Sequence, residues 1–195
     1  MKKVVFALIG GAQHGKDTIC TELRNILPNC YPNHLGFADI LKEQCKFLEW
    51  DGDKDLGGRQ FLIDITPPIK KYGNWLAEKY PEKYGDYAGN NYYTAKLYDI
   101  IKNTDYNYYC ISDMRFQCEY DFFKNKSEII YIPIRVIRLE GGKYFNGGLT
   151  EEQLNSPSET ELKNAEVSHT FNNFGTLEEL KYDVKEWIIR KYLTQ

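Results

Sequence analysis

Arginine is scarce in this chain. Only six of its 195 residues are arginine (Arg24, Arg59, Arg115, Arg135, Arg138 and Arg190), and acidic residues outnumber basic ones to leave a net charge of −3. Such a balance offers no global attraction to nucleic acid or an anionic membrane, so any anion site has to be built locally. The five cysteines (Cys20, Cys30, Cys45, Cys110 and Cys118) are odd in number and contain no C-x-x-C pair. That argues against a disulfide framework and a zinc site, and suggests a reducing compartment. No run approaches the ~20 apolar residues of a membrane span. The N-terminal "MKKVVFALIGGA" imitates a secretory signal, but its apolar run covers only Val4 to Ile9, and cleavage after Ala12 would cut a glycine–lysine loop. The expectation is a cytoplasmic protein without a membrane or stable nucleic-acid partner, forming one domain over residues 1–195.

What the chain has in plenty is tyrosine, 16 residues, seven of them between positions 72 and 98. It also has a strand–helix alternation. "KVVFALI" reads as a strand buried on both faces, and "KDTICTELRNIL" as a helix closed by Pro28. "HLGFA" (34–38) suggests a short second strand, followed by a helix capped by Asp39. Residues 51–104, polar and interrupted by "TPP", read as helices and loops. Two further strands follow, "YNYYCISD" and "EIIYIPIRVIRL", the latter with Pro133 suggesting an edge or bulge. Residues 139–159, with four glycines between 141 and 148, read as a mobile loop, and "EVSHTF" as a last short strand. Thr176 and Glu179 form a capping box before an amphipathic helix over 177–192. The alternation predicts an α/β class with a mainly parallel sheet.

Between the first strand and first helix lies "GGAQHGKDT". Gly10, Gly11, Ala12, Gln13, His14, Gly15 and Lys16 have the spacing of a phosphate-binding loop, in which backbone N–H groups surround an anion and the helix dipole adds to them. Lys16 would reach the outer phosphates of ATP, and Thr18 would bind a phosphate. His14 reads as a solvated side chain rather than an acid–base group. Asp17 stands where a Ser or Thr usually supplies a magnesium ligand; its carboxylate suits Mg²⁺ equally, unless it merely pairs with the helix dipole. Asp113 ends a strand, which suits either a second magnesium contact or a helix cap. Arg59, Arg115, Arg135 and Arg138 fall in loops or at strand ends, where their forked donors can grip phosphate oxygens, with Arg135 the weaker candidate.

Taken together, "GKDT", "GFADILK", "GRQFL", "ISDMRFQCEYDFF", "SPSET" and "FNNFGTLEEL" resemble the phage-type deoxynucleoside monophosphate kinases. The likeness runs in order from about residue 4 to 184, and is most specific at Asp113-x-Arg115-Phe116-x-x-Glu119 and Asn173 to Leu180. It implies a three-layer P-loop fold of the adenylate-kinase type with a helical monophosphate-binding insertion near 51–104 and a glycine-rich lid near 139–160. It also implies transfer of the ATP γ-phosphate to a deoxynucleoside monophosphate, with Mg²⁺, and a viral protein acting in a host cytoplasm. By position, Phe37, Ala38, Lys42, Arg59, Lys70, Trp75, Asp113, Arg115 and Glu159 fall to the acceptor, and Lys16, Arg115 and Arg138 to the transferred group. The chain departs from that pattern at Ser156, where the family often has histidine, and at Lys70–Lys71, where it often has arginine. Most of the tyrosines read as helix packing, with one ring excluding a ribose hydroxyl. A kinase for another phosphorylated metabolite and a DNA-associated, nucleotide-dependent ATPase are the alternatives. A homodimer is left open.

Overall fold

The computed structural model describes residues 2–53 and 56–193, apart from the side chains of Leu56 and Arg59. It divides into two compact units, one formed by the chain up to Leu35 and from Tyr106 onward, the other by Gly36–Asp105.

The first unit is a mixed α/β structure on a mainly parallel sheet. β1 (Lys3–Ile9) lies between β2 (Tyr108–Met114) and β3 (Ile129–Glu140), and β5 (His169–Asn173) extends the sheet beyond β3. These four strands run parallel, while β4 (Lys143–Tyr144) folds back antiparallel on the end of β3. Gly141 and Gly142 make that turn with φ of 58° and 78°, a left-handed pair that glycine adopts without strain.

Both faces of β1 are buried, as its uninterrupted apolar run requires. Val4, Phe6 and Leu8 join Ile132, Ile134 and Val136 of β3 in one cluster. This cluster is closed by Ile19 and Leu23 of α1 (Lys16–Ile26) and Leu180, Val184 and Ile188 of α9 (Leu177–Ile188). On the opposite face α6 (Gln117–Lys124) lays Tyr120 and Phe123 against Tyr131. Burying a side chain such as Leu8 or Phe6 contributes about 1.5–3 kcal/mol. Two short helices, α7 (Glu151–Leu154) and α8 (Pro157–Thr160), stand between α6 and α9, largely within the stretch read from sequence as a loop. α9 starts as its sequence predicts, with Thr176 Oγ1 accepting from the Glu179 backbone N–H.

Four local expectations are corrected. Pro133 does not mark an edge, because β3 is interior. Its carbonyl accepts from Ser168 N–H just before β5 pairing begins at Ile134–His169, so the missing donor falls where the ladder has no partner yet. The "HLGFA" strand is a single bridge, Leu35 to Ile111. The helix α2 (Phe37–Lys46) begins behind Gly36, which places Asp39 inside its first turn, bonded to Lys42 at 2.9 Å. Finally, Cys20 and Cys110 form a disulfide across 90 residues, against the argument from cysteine count. α1 packs on β2, and no spacing rule reports that approach.

The second unit is helical. After α2 come α3 (Leu56–Lys79), α4 (Pro81–Tyr84) and α5 (Tyr92–Asn103). "TPP" does not interrupt it: Pro67 and Pro68 sit within α3 on an exposed face, where the carbonyls they leave unbonded can take water. Tyr87, Tyr93 and Tyr98 are buried, and Tyr84, Tyr87, Tyr92 and Tyr93 form a chain of ring contacts. No helix among the described residues is long and apolar enough to cross a membrane.

Candidate functional site

The site gathers at the carboxyl ends of β1, β2 and β3, the edge where open α/β sheets place ligands. The Gly10–Gly15 loop leaves β1 under tight constraint. A Cβ on Gly10 would lie 2.5 Å from Val136 O, and one on Gly15, whose φ is 103°, would lie 2.9 Å from the Asn173 amide. Neighbouring strands then hold the loop. Asn173 Nδ2 donates to His14 O at 3.0 Å, Arg138 donates to Gln13 O at 3.2 Å, and Gln13 Nε2 donates to Gly147 O at 3.1 Å.

His14 is not solvated as expected; it is 5% exposed. Its ring fills the space left by Gly11, where a Cβ would lie 2.8 Å from Nε2. Nε2 lies 2.9 Å from Phe145 O, and Nδ1 lies 3.4 Å from the Arg138 backbone N–H and 3.2 Å from Val136 O. A proton assigned to Nε2 lets the ring donate to Phe145 and accept from Arg138. His14 thus ties the loop to β3 and to the segment after β4.

Lys16 opens α1 and is 8% exposed. It is folded back on its own loop, donating to Gly10 O at 2.9 Å and Gly11 O at 2.6 Å. Burial, and secondarily the Arg115 guanidinium, lowers its pKa from 10.5 to about 8, against the pull of Glu159, Asp17 and Asp113. These groups therefore share one electrostatic neighbourhood. Arg115 follows β2 and pairs with Glu159, which is the more buried partner. The turn carrying Arg115 is fixed by Glu119, whose Oε2 accepts the backbone N–H groups of Arg115 and Phe116 at 2.9 and 3.1 Å. That contact is the physical content of the D-x-R-F-x-x-E spacing. Arg138 stacks over Phe145 at 4.0 Å, whereas Arg135 is spent on the backbone, donating to Leu162 O and Ala165 O.

Asp17 is exposed beside the start of α1, and Thr18 is half-buried in the same turn. His34 Nε2 lies 3.3 Å from Asp17 Oδ1 and 2.7 Å from Ser112 Oγ. The His34 hydrogen bond holds the Asp17 carboxyl below its ordinary range. His34, Ser112 and Asn173 were not singled out as site residues from sequence. The available signals were Ser112 standing immediately before Asp113 at a strand end and Asn173 opening the stretch up to Leu180. Beside the loop lies a cavity of about 590 Å³ lined by Ala12, Met114, Arg115, Phe145, Leu149 and Glu159 among others, a volume suited to a small ligand.

The remaining acceptor candidates belong to the second unit. Phe37 is buried, Ala38 exposed and Lys70 half-buried. Lys42 is paired with Asp39. Trp75 is 44% exposed, stacked on Tyr72 with Lys79 Nζ 4.7 Å from its ring centre. The side chain of Arg59 lies outside the described residues. Among those residues no group of three or more His, Cys, Asp or Glu could hold a metal ion. Mg²⁺ needs no such cage where phosphates complete its shell, and the carboxylates of Asp17 and Asp113 are hard oxygen donors of the kind it prefers.

No protein-family model matches the chain, and no curated protein does. Among solved structures, it is similar to TT1252 from Thermus thermophilus, with 14% identity, 98% of this chain and 99% of that one covered, and a TM-score of 0.49. It is also similar to a structure described as "a putative kinase from chloroflexus aurantiacus j-10-fl", with 11% identity, coverage of 95% and 98%, and a TM-score of 0.49.

Proposed function

We propose that the protein is a P-loop kinase that transfers the γ-phosphate of ATP to a deoxynucleoside monophosphate. The observation that carries this reading is the constrained Gly10–Lys16 loop at the sheet's carboxyl edge, with Lys16 in the electrostatic neighbourhood of Arg115, Asp17 and Asp113. Gly10 to Thr18 would hold the phosphates of ATP, with Lys16 moving from the Gly10 and Gly11 carbonyls onto phosphate oxygens. Arg115, released from Glu159, and Arg138 would neutralise charge on the transferred group. An acceptor phosphate oxygen, already anionic, forms the new P–O bond as the bond to the ADP oxygen breaks, so no strong general base is required. Mg²⁺, held by Asp17 and Asp113, would supply charge neutralisation at the phosphates. Phe37, Ala38, Lys42, Arg59, Lys70 and Trp75 are assigned to the acceptor, residues 139–160 to a lid that excludes water, and one insertion ring to discrimination against ribose.

The test is ADP release from Mg·ATP with each ribo- and deoxynucleoside monophosphate offered separately. Release with a subset of deoxynucleotides is expected. Turnover of AMP and GMP equal to that of dAMP and dGMP would remove the deoxyribose assignment. Release with none of them would move the acceptor to another phosphorylated metabolite. ATP hydrolysis stimulated by DNA would replace the kinase reading with that of a DNA-associated ATPase.

A further inference from the structure

The loop is one hydroxyl short: Asp17 follows Lys16, and Thr18 comes a residue later. A hydroxyl nevertheless stands at Asp17. It belongs to Ser112, which is 3% exposed on β2, far along the chain from the loop, and hydrogen-bonds the Asp17 carboxyl. His34 Nε2 joins the pair, at 2.7 Å from Ser112 Oγ and 3.3 Å from Asp17 Oδ1. The backbone sets His34 in place. Its neighbour Leu35 bridges to Ile111, and Leu35 O accepts the Ser112 backbone N–H at 3.3 Å. An Nε2 proton shared between Asp17 Oδ1 and Ser112 Oγ, with the serine O–H turned to the carboxylate, satisfies all three groups.

Asp17 needs such anchoring. Its side chain is 84% exposed on the first turn of a helix, where an untethered carboxylate samples several rotamers and must be ordered at a cost before it can serve an ion. Resting on the kinase reading above, we propose that Ser112 and His34 are positioning residues for Asp17, holding its carboxylate in the orientation that serves the metal–nucleotide complex. The function of the missing loop hydroxyl is thereby divided between a carboxylate on α1 and two partners on β2 and on the segment before Leu35.

The experiment measures Mn²⁺ binding by the loss of the free-ion EPR signal, with the non-hydrolysable ATP analogue AMPPNP present, and separately AMPPNP binding in EDTA. Partners that orient a metal ligand are worth roughly 10- to 100-fold in metal affinity. His34→Ala and Ser112→Ala are each expected to weaken Mn²⁺ in the ternary complex about tenfold, while AMPPNP affinity in EDTA stays within twofold of wild type. His34→Gln, whose Nε2–H reaches a similar place, is expected to recover most of the loss. In an Asp17→Asn background, His34→Ala is expected to add nothing. Mn²⁺ affinity unchanged in both alanine variants would overturn the proposal. So would an equal loss of affinity in EDTA, or a full further loss in the Asp17→Asn background. Failure of the wild-type chain to bind Mn·AMPPNP at all would instead overturn the kinase reading, and this inference with it.

Discussion

Lys16 sits among backbone carbonyls with its pKa near 8, and the phosphate binding proposed above would reverse that. A triphosphate surrounding the ammonium restores the charged form towards its ordinary pKa of ~10.4. Binding is therefore linked to proton uptake over the interval between these values. The affinity is then reduced by a factor of about 1 + 10^(pH − 8). This is roughly 1.1 at pH 7, 2 at pH 8 and 11 at pH 9, so AMPPNP affinity falls about tenfold between pH 7 and pH 9. Proton uptake rises over the same range from ~0.1 to ~0.9 per nucleotide. Isothermal titration calorimetry in two buffers of different ionisation enthalpy reads that uptake directly, and pH 8 to 9 lies above the range where a phosphate's own second proton titrates, near 6. Lys16→Arg, which cannot lose its charge, is expected to bind with no uptake in this window. Uptake below ~0.2 proton at pH 9 in wild type, or the same uptake in Lys16→Arg, would refute the reasoning.

The same pKa has a consequence for stability. The folded value lies below the unfolded one, so the unfolded chain binds more protons between about pH 8 and pH 10.4, and stability rises with pH across that window. Denaturant unfolding at pH 7.5 and 9.5 should show wild type gaining up to about 2 kcal/mol relative to Lys16→Met. Arg115→Lys keeps the charge but loses the fork, and should lower kcat by roughly 10²- to 10³-fold in the coupled ADP assay; full activity would remove Arg115 from the reaction. Gly10→Ala places a methyl 2.5 Å from Val136 O, and should cost about 1–3 kcal/mol by denaturant unfolding and weaken nucleotide binding. Phe6→Ala, in the apolar cluster under α1 and α9, should cost about 3–5 kcal/mol, and a loss under 1 kcal/mol would mean that the cluster is not packed as described.

How much of this was legible in the sequence depends on how local the cause was. β1 could be read because a strand buried on both faces must be apolar at every position, and α9 because Thr176 and Glu179 are three residues apart. Proline misled twice: its rule concerns a missing donor, but at Pro133 the ladder has no partner yet for that donor, and at Pro67–Pro68 the carbonyls left without a donor lie on an exposed face where water can reach them. His14 was misread because its burial depends on Val136 and Phe145, over 120 positions away in the chain. The Asp17–His34–Ser112 contacts, like the meeting of Cys20 and Cys110, arise where α1, the segment after it and β2 converge. No periodicity or spacing announces such a meeting.

The disulfide also changes what kind of object the second unit is. Cys20 precedes Gly36 and Cys110 follows Asp105, so the bond closes the whole of that unit into a covalent ring. A protease that cuts anywhere between Gly36 and Asp105 opens the ring without separating the pieces. Such a nicked chain runs as one species until a reductant is added and as two afterwards. In the oxidised protein, helices of the second unit can be severed while both flanking stretches of the first unit stay joined through α1 and β2.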